Sequence, residues 1–217
     1  MHMEILVEDS SGGKLLQVLL PQFLGPHGEP HTWRLHRYKG IGRIPRGLAI
    51  NSDPAKRMLL DQLPKLLRGY GKTAGIDAVV VVLDTDRRDC AAFLAELRAV
   101  ATACEPVPAT LFRFAIAEIE AWYLGDHDAL LAAYPRAKRE VLARYVQDSA
   151  CDTWELLADA VHSGGSMAIK KAGWPLPGQI KHEWAERIAP RMIPERNRSP
   201  SFGKLRDGLR QLTAASA

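Results

Sequence analysis

The stretch Ile76-Asp-Ala-Val-Val-Val-Val-Leu-Asp-Thr-Asp-Arg-Arg-Asp89 decides the fold. An unbroken apolar run of this length reads as a strand buried on both faces, as in a parallel sheet. Side chains two apart on a strand point the same way. Asp84 and Asp86 are therefore expected to share one spot at the strand's carboxyl end, where open α/β sheets bind their ligands. Two carboxylates held this close repel each other unless a proton or a cation sits between them. Hard oxygen ligands of this kind suit Mg²⁺ or Mn²⁺. A plainer reading competes: Asp84 ends the strand, and Asp86 caps a helix starting near Arg87, with Asp89 at the spacing of a weak capping box.

Upstream, Met3 to Val7 is a short apolar strand ending in Glu8-Asp9, and Ser10-Ser11-Gly12-Gly13 reads as a turn. Lys14 to Leu24 has helical spacing. Gly12-Gly13-Lys14 is not a phosphate loop, because Glu8 stands in the first glycine's place and Leu15 follows the lysine. His31 to Tyr38 alternates like a strand nearer the sheet edge. Lys39 to Pro54 is rich in Gly, Pro and Arg, and is long enough to suggest a functional loop or a short strand. Ala55 to Tyr70 is an amphipathic helix that Pro64 should kink or split.

Downstream, a helix is expected from Arg88 to Cys104, and Thr110 to Ile119 reads as a fourth strand. On a strand Glu118 shares a face with Phe112, Phe114 and Ile116, and Glu120 follows if the strand persists. If a helix begins there instead, Glu118 and Glu120 diverge. The β-α-β-α-β-α order gives an α/β fold: a Rossmann-like, mostly parallel sheet of about four strands flanked by helices. After Asp126 only helices are read: Asp128 to Ala133, Pro135 to Val146, Thr153 to Val161 with Asp152 as cap, Gly178 to Ala189, and Ser199 to Leu212 with Ser199 or Ser201 as cap. His162 to Pro177 reads as a mobile loop. The expected organisation is an α/β catalytic core over 1–126 and a helical extension over 127–217 packing on it.

Composition narrows the function classes. Apolar residues make up 47% and charged residues 25% of 217, ordinary for a globule with a proper core. No apolar stretch is long enough for a membrane helix, and the N-terminus has no signal-peptide layout. Three scattered cysteines, Cys90, Cys104 and Cys151, suggest neither a disulfide framework nor a zinc knuckle, so a reducing cytoplasm is expected. The seven histidines show no ligand spacing. Net charge is +4, and basic residues cluster from Arg34 to Arg46 and again beyond Ala160. Arg34, Arg37, Lys39, Arg43, Lys170 and Lys171 are the candidate contacts for a polyphosphate or nucleic acid, set against a solvated basic face. Lys181 is a further candidate positive charge for a phosphate. Of the five tryptophans, Trp174 in Gly-Trp-Pro suits a substrate-facing loop and the others suit packing.

Glu8, the Asp84/Asp86/Asp89 group and Glu118/Glu120 all follow apolar strands, and a parallel sheet brings such ends to one edge. If the first and third strands are neighbours, Glu8 faces Asp84. A glutamate with an Asp-x-Asp makes a cradle for one divalent ion, with room for a second, and Glu8 is an alternative general acid or base.

Val7-Glu8 with its glycine turn and helix, followed by Leu83-Asp84-Thr85-Asp86, resembles the toprim domain of topoisomerases, bacterial primases and the overcoming-lysogenization-defect nucleases. The Asp-Arg-Arg-Asp continuation, Ile116-Ala-Glu-Ile-Glu-Ala-Trp122, Tyr123-Leu-Gly-Asp126 and Asn197-Arg-Ser-Pro-Ser-Phe202 resemble one group of stand-alone toprim-like proteins, the uncharacterised family numbered 4276 among domains of unknown function. The resemblance implies a toprim fold with Glu8 as the toprim glutamate, Asp84 and Asp86 as the metal pair, and Glu118 and Glu120 as additional acids. It also implies a Mg²⁺- or Mn²⁺-dependent nuclease cutting DNA or RNA, in bacterial defence against phage beside an AAA- or ABC-type ATPase. A homodimer is left open. The loop after Glu8 departs from the pattern, with Asp9 and Ser10-Ser11-Gly12 where many relatives carry a glycine and a second acid.

Three other classes compete. A haloacid-dehalogenase-type phosphatase also uses Asp-x-Asp, but on its first strand and without an arginine at the place of Arg88. A nucleotide-sugar transferase uses the motif for Mn²⁺. A degenerate toprim module serving an ATPase needs no metal at all.

Overall fold

The computed structural model describes residues 1–48, 54–149 and 152–214. Cys151 and the middle of the Lys39 to Pro54 connection lie outside the described residues. The elements run β1 (His2–Val7), α1 (Ser10–Leu24), β2 (Thr32–Arg37), α2 (Leu59–Tyr70), β3 (Ala78–Asp84), α3 (Cys90–Thr102) and β4 (Ala109–Ala115). They continue with α4 (Glu120–Leu124), α5 (His127–Ala133), α6 (Arg139–Leu142), α7 (Thr153–Val161), α8 (Gly165–Ala172), α9 (Leu176–Ile188) and α10 (Pro200–Ala214). The four strands form one parallel sheet in the order β2-β1-β3-β4. This is an α/β, Rossmann-like architecture.

The β3 valines explain why the sheet is covered on both sides. Val80 and Val82 pack into a core with α1 and the later helices. Val79, Val81 and Leu83 point the other way, into a core with α2 and α3. Each fully buried valine contributes roughly 1.5–3 kcal/mol of transfer free energy, so a strand apolar on both faces cannot sit at an exposed sheet surface. β1 follows the same rule: Met3, Ile5 and Val7 face the first core and Leu6 the second. β2 lies at the edge, as its alternation predicts, and leaves Arg34 and Arg37 exposed.

Several local expectations are corrected. Ser10 to Gly13 is the first turn of α1, not a loop. Asp9 caps it, accepting from the Gly12 N–H at 2.7 Å. A β-carbon on Gly12 would lie 2.8 Å from the Ile119 Cδ1, and one on Gly13 would overlap the Arg37 side chain. These glycines therefore serve close packing. α2 begins only at Leu59 and runs unbroken through the buried Pro64. Among the described residues the 39–48 segment holds no strand, only a 3₁₀ turn at Arg46–Leu48.

β4 stops at Ala115, because Ala117 adopts φ 60° and turns the chain. The helix expected over Pro135 to Val146 shrinks to α6. Asp152 precedes α7 in a left-handed conformation and makes no side-chain cap. The loop expected from His162 to Pro177 contains α8. Ser199 caps α10, accepting from the Phe202 N–H at 3.2 Å.

Candidate metal centre and its cleft

The parallel pairing of β1 and β3 places Val7 beside Val82. One step further, the Glu8 carboxylate accepts a hydrogen bond from the Asp84 backbone N–H at 3.2 Å. Asp84 closes β3, and its side chain turns inward. Burial pushes its carboxyl well above the usual range, and the charges of Glu8 and Glu120 push it further.

Glu8 is raised to about 7, first by burial and then by Asp86 and Asp9, against the Asp84 hydrogen bond that lowers it. Glu120, 1% exposed in the first turn of α4, is also raised to about 7. Burial dominates there, Lys181 opposes it, and Glu118 and Asp9 add to it. In all three carboxyls burial is the largest cause of the rise, and neighbouring acids add to it.

Lys181 of α9 supplies the local cation. Its Nζ lies 3.4 Å from Glu118 Oε1 and 3.3 Å from Glu120 Oε2. Burial disfavours the ammonium, but Glu120, Glu118 and Asp84 outweigh it and raise its affinity for the proton. Glu118 and Glu120 thus meet one partner although β4 has ended, which corrects the expectation that they must diverge. Glu118 is also held by the Trp154 N–H at 3.0 Å and the Thr153 hydroxyl at 3.2 Å.

Asp86 does not share a face with Asp84. The strand ends first, and Asp86 takes φ 50°. Its N–H donates to the Ala117 carbonyl at 2.8 Å, while the Thr85 hydroxyl accepts from the Ala117 N–H at 2.8 Å. The side chain faces a small hollow with Arg87, Glu118 and Asp152, 3.8 Å from Arg88. Asp89 caps α3, accepting from the Ala92 N–H at 2.7 Å. Its carboxylate is occupied as the capping reading expects.

Among the described residues no three His, Cys, Asp or Glu side chains close on one point as a ready-made cage. The donor set still fits Mg²⁺ or Mn²⁺. Mg²⁺ keeps several waters and needs only one or two carboxylates plus substrate oxygens. Glu120 Oε1 is buried with no hydrogen-bond partner, an uncommitted lone pair in the middle of the acids.

Beside the acids a cleft of about 1400 Å³ runs between the carboxyl ends of β1 and β2 and helix α9. Asp9 and Lys181 line it and also act on the carboxyls. Arg37 and Lys39 stand on one wall, and Trp174 and His182 on the other. Arg34 and Arg43 are exposed but do not line the cleft. Lys170 is engaged elsewhere, 2.9 Å from Glu155 and over the Trp154 ring. Lys171 is exposed and outside the cleft.

Three of the quoted motifs meet through Trp122, Gly125 and Asp126, and the stretch from Asn197. Arg196 donates to buried Asp126 at 2.8 and 3.1 Å, and Asn197 donates to the Trp122 carbonyl at 2.7 Å. Arg198 N–H reaches the Gly125 carbonyl at 2.9 Å, and the Trp122 indole donates to Ser201 at 2.9 Å. This clasp fixes α4, and with it Glu120.

Sequence comparison matches residues 7–210 to a family described as a domain of unknown function (DUF4276). The chain belongs to the DUF4276 family. The match spans the carboxyls, Lys181 and both halves of the clasp, running from the last residue of β1 through strands β2 to β4 and the later helices into α10. No curated protein and no solved structure matches the chain.

Four residues of the DUF4276 site escaped sequence reading. Asp9 was visible only as the acid that displaces a glycine. Tyr123 carries a buried hydroxyl without a partner, and burial, then Glu120, Asp9 and Asp84, raise its pKa well above the ordinary value. Arg57 and His182 line the cleft. No motif marks either of them.

Proposed function

We propose that the protein is a Mg²⁺- or Mn²⁺-dependent nuclease of toprim type that hydrolyses phosphodiester bonds. The observation that carries this reading is the meeting of Glu8 with Asp84 at 3.2 Å, with buried Glu120 near enough to act on the Asp84 carboxyl, beside a cleft lined by Arg37, Lys39 and Arg57. Glu8 and Asp84 would hold the ion, with Glu120 offering its uncommitted oxygen. The ion would align the phosphodiester and stabilise charge on the leaving oxygen. If Glu8 does not ligate the ion, its carboxyl, raised to about 7 in the metal-free chain, is instead suited to take or return a proton near neutrality. Lys181 holds Glu118 and Glu120 in place and adds positive charge at the cleft wall. The motif resemblance adds a role in phage defence beside an AAA- or ABC-type ATPase.

One observation favours a second reading. Lys181 bridges two acids, as in a site where a lysine has replaced the ion. In that case the chain is a non-catalytic subunit of an ATPase complex. Metal titration of the parent protein and of Asp84→Ala separates the two, read beside cleavage of DNA and RNA. The nuclease reading expects metal binding and cleavage in the parent, both lost in the variant. Equal cleavage by Asp84→Ala sinks it.

A further inference from the structure

The exposed side chain of Trp174 is unusual in this chain. Trp122 and Trp184 are buried, whereas Trp174 is 83% exposed and lines the cleft. Its position is nonetheless defined. A β-carbon on Gly178 would lie 3.0 Å from the Trp174 Cη2 and Cζ3. The glycine thus makes room for the ring edge at the start of α9. Lys181 and His182 follow Gly178 by three and four residues on that helix, so each lies next to Gly178 on the helix surface. The indole therefore stands about one helical turn from the lysine that touches Glu118 and Glu120.

The charges around the ring select the ligand. The acids on the α9 wall are already neutralised: Glu186 pairs with Lys14, and Glu183 with Arg187 at 3.0 Å. On the opposite wall Arg37, Lys39 and Arg57 are exposed. A row of cations facing a solvent-exposed aromatic plane is the combination that holds unpaired nucleotides: phosphates along the cations, a base stacked on the ring. A base pair stacked inside a duplex has no free face to offer. Asp84 and Glu120 are also recessed, and a flexible single strand reaches them more readily than a duplex.

We propose that the cleft takes single-stranded nucleic acid and that Trp174 is the platform on which one base stacks. This rests on the phosphodiester reading above, whose site it extends.

The test is binding without catalysis. Fluorescence anisotropy in EDTA would compare labelled oligothymidylate and oligouridylate with a blunt DNA hairpin of equal charge whose strands are joined by a non-nucleotide linker. The parent should bind the single strands more tightly than the hairpin. Trp174→Ala should weaken single-strand binding roughly tenfold and leave the hairpin nearly unchanged, whereas Trp174→Phe should retain most of the affinity. Oligodeoxyuridylate beside oligouridylate shows whether the sugar matters, since these two carry the same base. Circular dichroism checks that the variants fold, which is expected of so exposed a position. The proposal is overturned if the parent prefers the hairpin or binds neither ligand. It is also overturned if Trp174→Ala binds single strands like the parent, or loses both ligands equally. Because EDTA removes cleavage, binding that depends on Trp174 in a protein that never cuts would reject the nuclease reading alone. Cleavage that is indifferent to Trp174 would reject this one alone.

Discussion

The Glu8 carboxylate accepts the backbone N–H of Asp84 at 3.2 Å across 76 residues of chain. That bond ties the ends of two neighbouring parallel strands. It also partly offsets the cost of burying Glu8, and it aims a second carboxyl, that of Asp84, at the same recess.

Asp84 is kept for something other than stability. Its carboxyl is raised well above the ordinary value by burial and by Glu8 and Glu120. Its charged form therefore works against the fold at neutral pH. Asp84→Asn should raise stability by about 1 kcal/mol, or roughly 2–4 °C in Tm for a chain of this size, while abolishing metal-dependent cleavage. A thermal melt beside a cleavage assay reads both effects, and a lower Tm would contradict the electrostatic account.

Stability should fall across the acidic range in the absence of metal. Glu8 and Glu120 ordinarily titrate near 4.5 and here are raised to about 7. Between those values the folded protein holds protons that the unfolded chain has released. Stability from these groups is thus greatest at low pH and declines as pH rises to about 7. Lys181 shifts in the basic range and does not alter this slope. Urea melts in EDTA should show the decline, and saturating Mg²⁺ should flatten it by replacing the protons.

Lys181→Met should destabilise the fold by about 3 kcal/mol, because it leaves buried Glu120 without its counter-charge. Adding Glu120→Gln to Lys181→Met should recover part of the loss. Denaturant unfolding of the two single variants and the double variant measures this. Strictly additive losses would show that the two side chains do not act as a pair.

Arg37 and Lys39 are exposed on the cleft wall. Replacing both with Ala should reduce the slope of log affinity against log salt by about 1.4 for a single-stranded ligand, about 0.7 per phosphate contact. Replacing Lys170 and Lys171 should leave the slope unchanged, since neither lines the cleft.

Far from the acids, Gly71 sits at the end of α2, where a β-carbon would overlap the Pro106 carbonyl oxygen. Gly71→Ala should cost roughly 1–3 kcal/mol, read by denaturant melts, with the affinity for metal unchanged in the folded fraction.

The parts of the fold that rest on periodicity were legible in the residues. The valines of β3 fill both cores because they have no polar face to offer solvent. The crossover grammar put Glu8 opposite Asp84. The place of Asp86 depends on a left-handed turn set by the register of β3 against β4, through Thr85 and Ala117. No local pattern encodes that register. Gly12 and Gly13 look like a turn in sequence, yet Ile119 and Arg37, distant in the chain, claim the space their side chains would fill. Lys181 was singled out as a candidate positive charge for a phosphate, but its pairing with Glu118 and Glu120 comes from packing of α9 against α1. α8 is only eight residues long and needs tertiary support.

Lys181 arrives late. A chain emerging from the ribosome makes Glu8, Asp84 and Glu120 well before it makes α9. Until then the acids lack their tethered cation, and the cleft lacks the wall that carries Trp174. The site closes only when the final third of the chain has joined the sheet, so a prematurely terminated product would carry the acids without the means to use them.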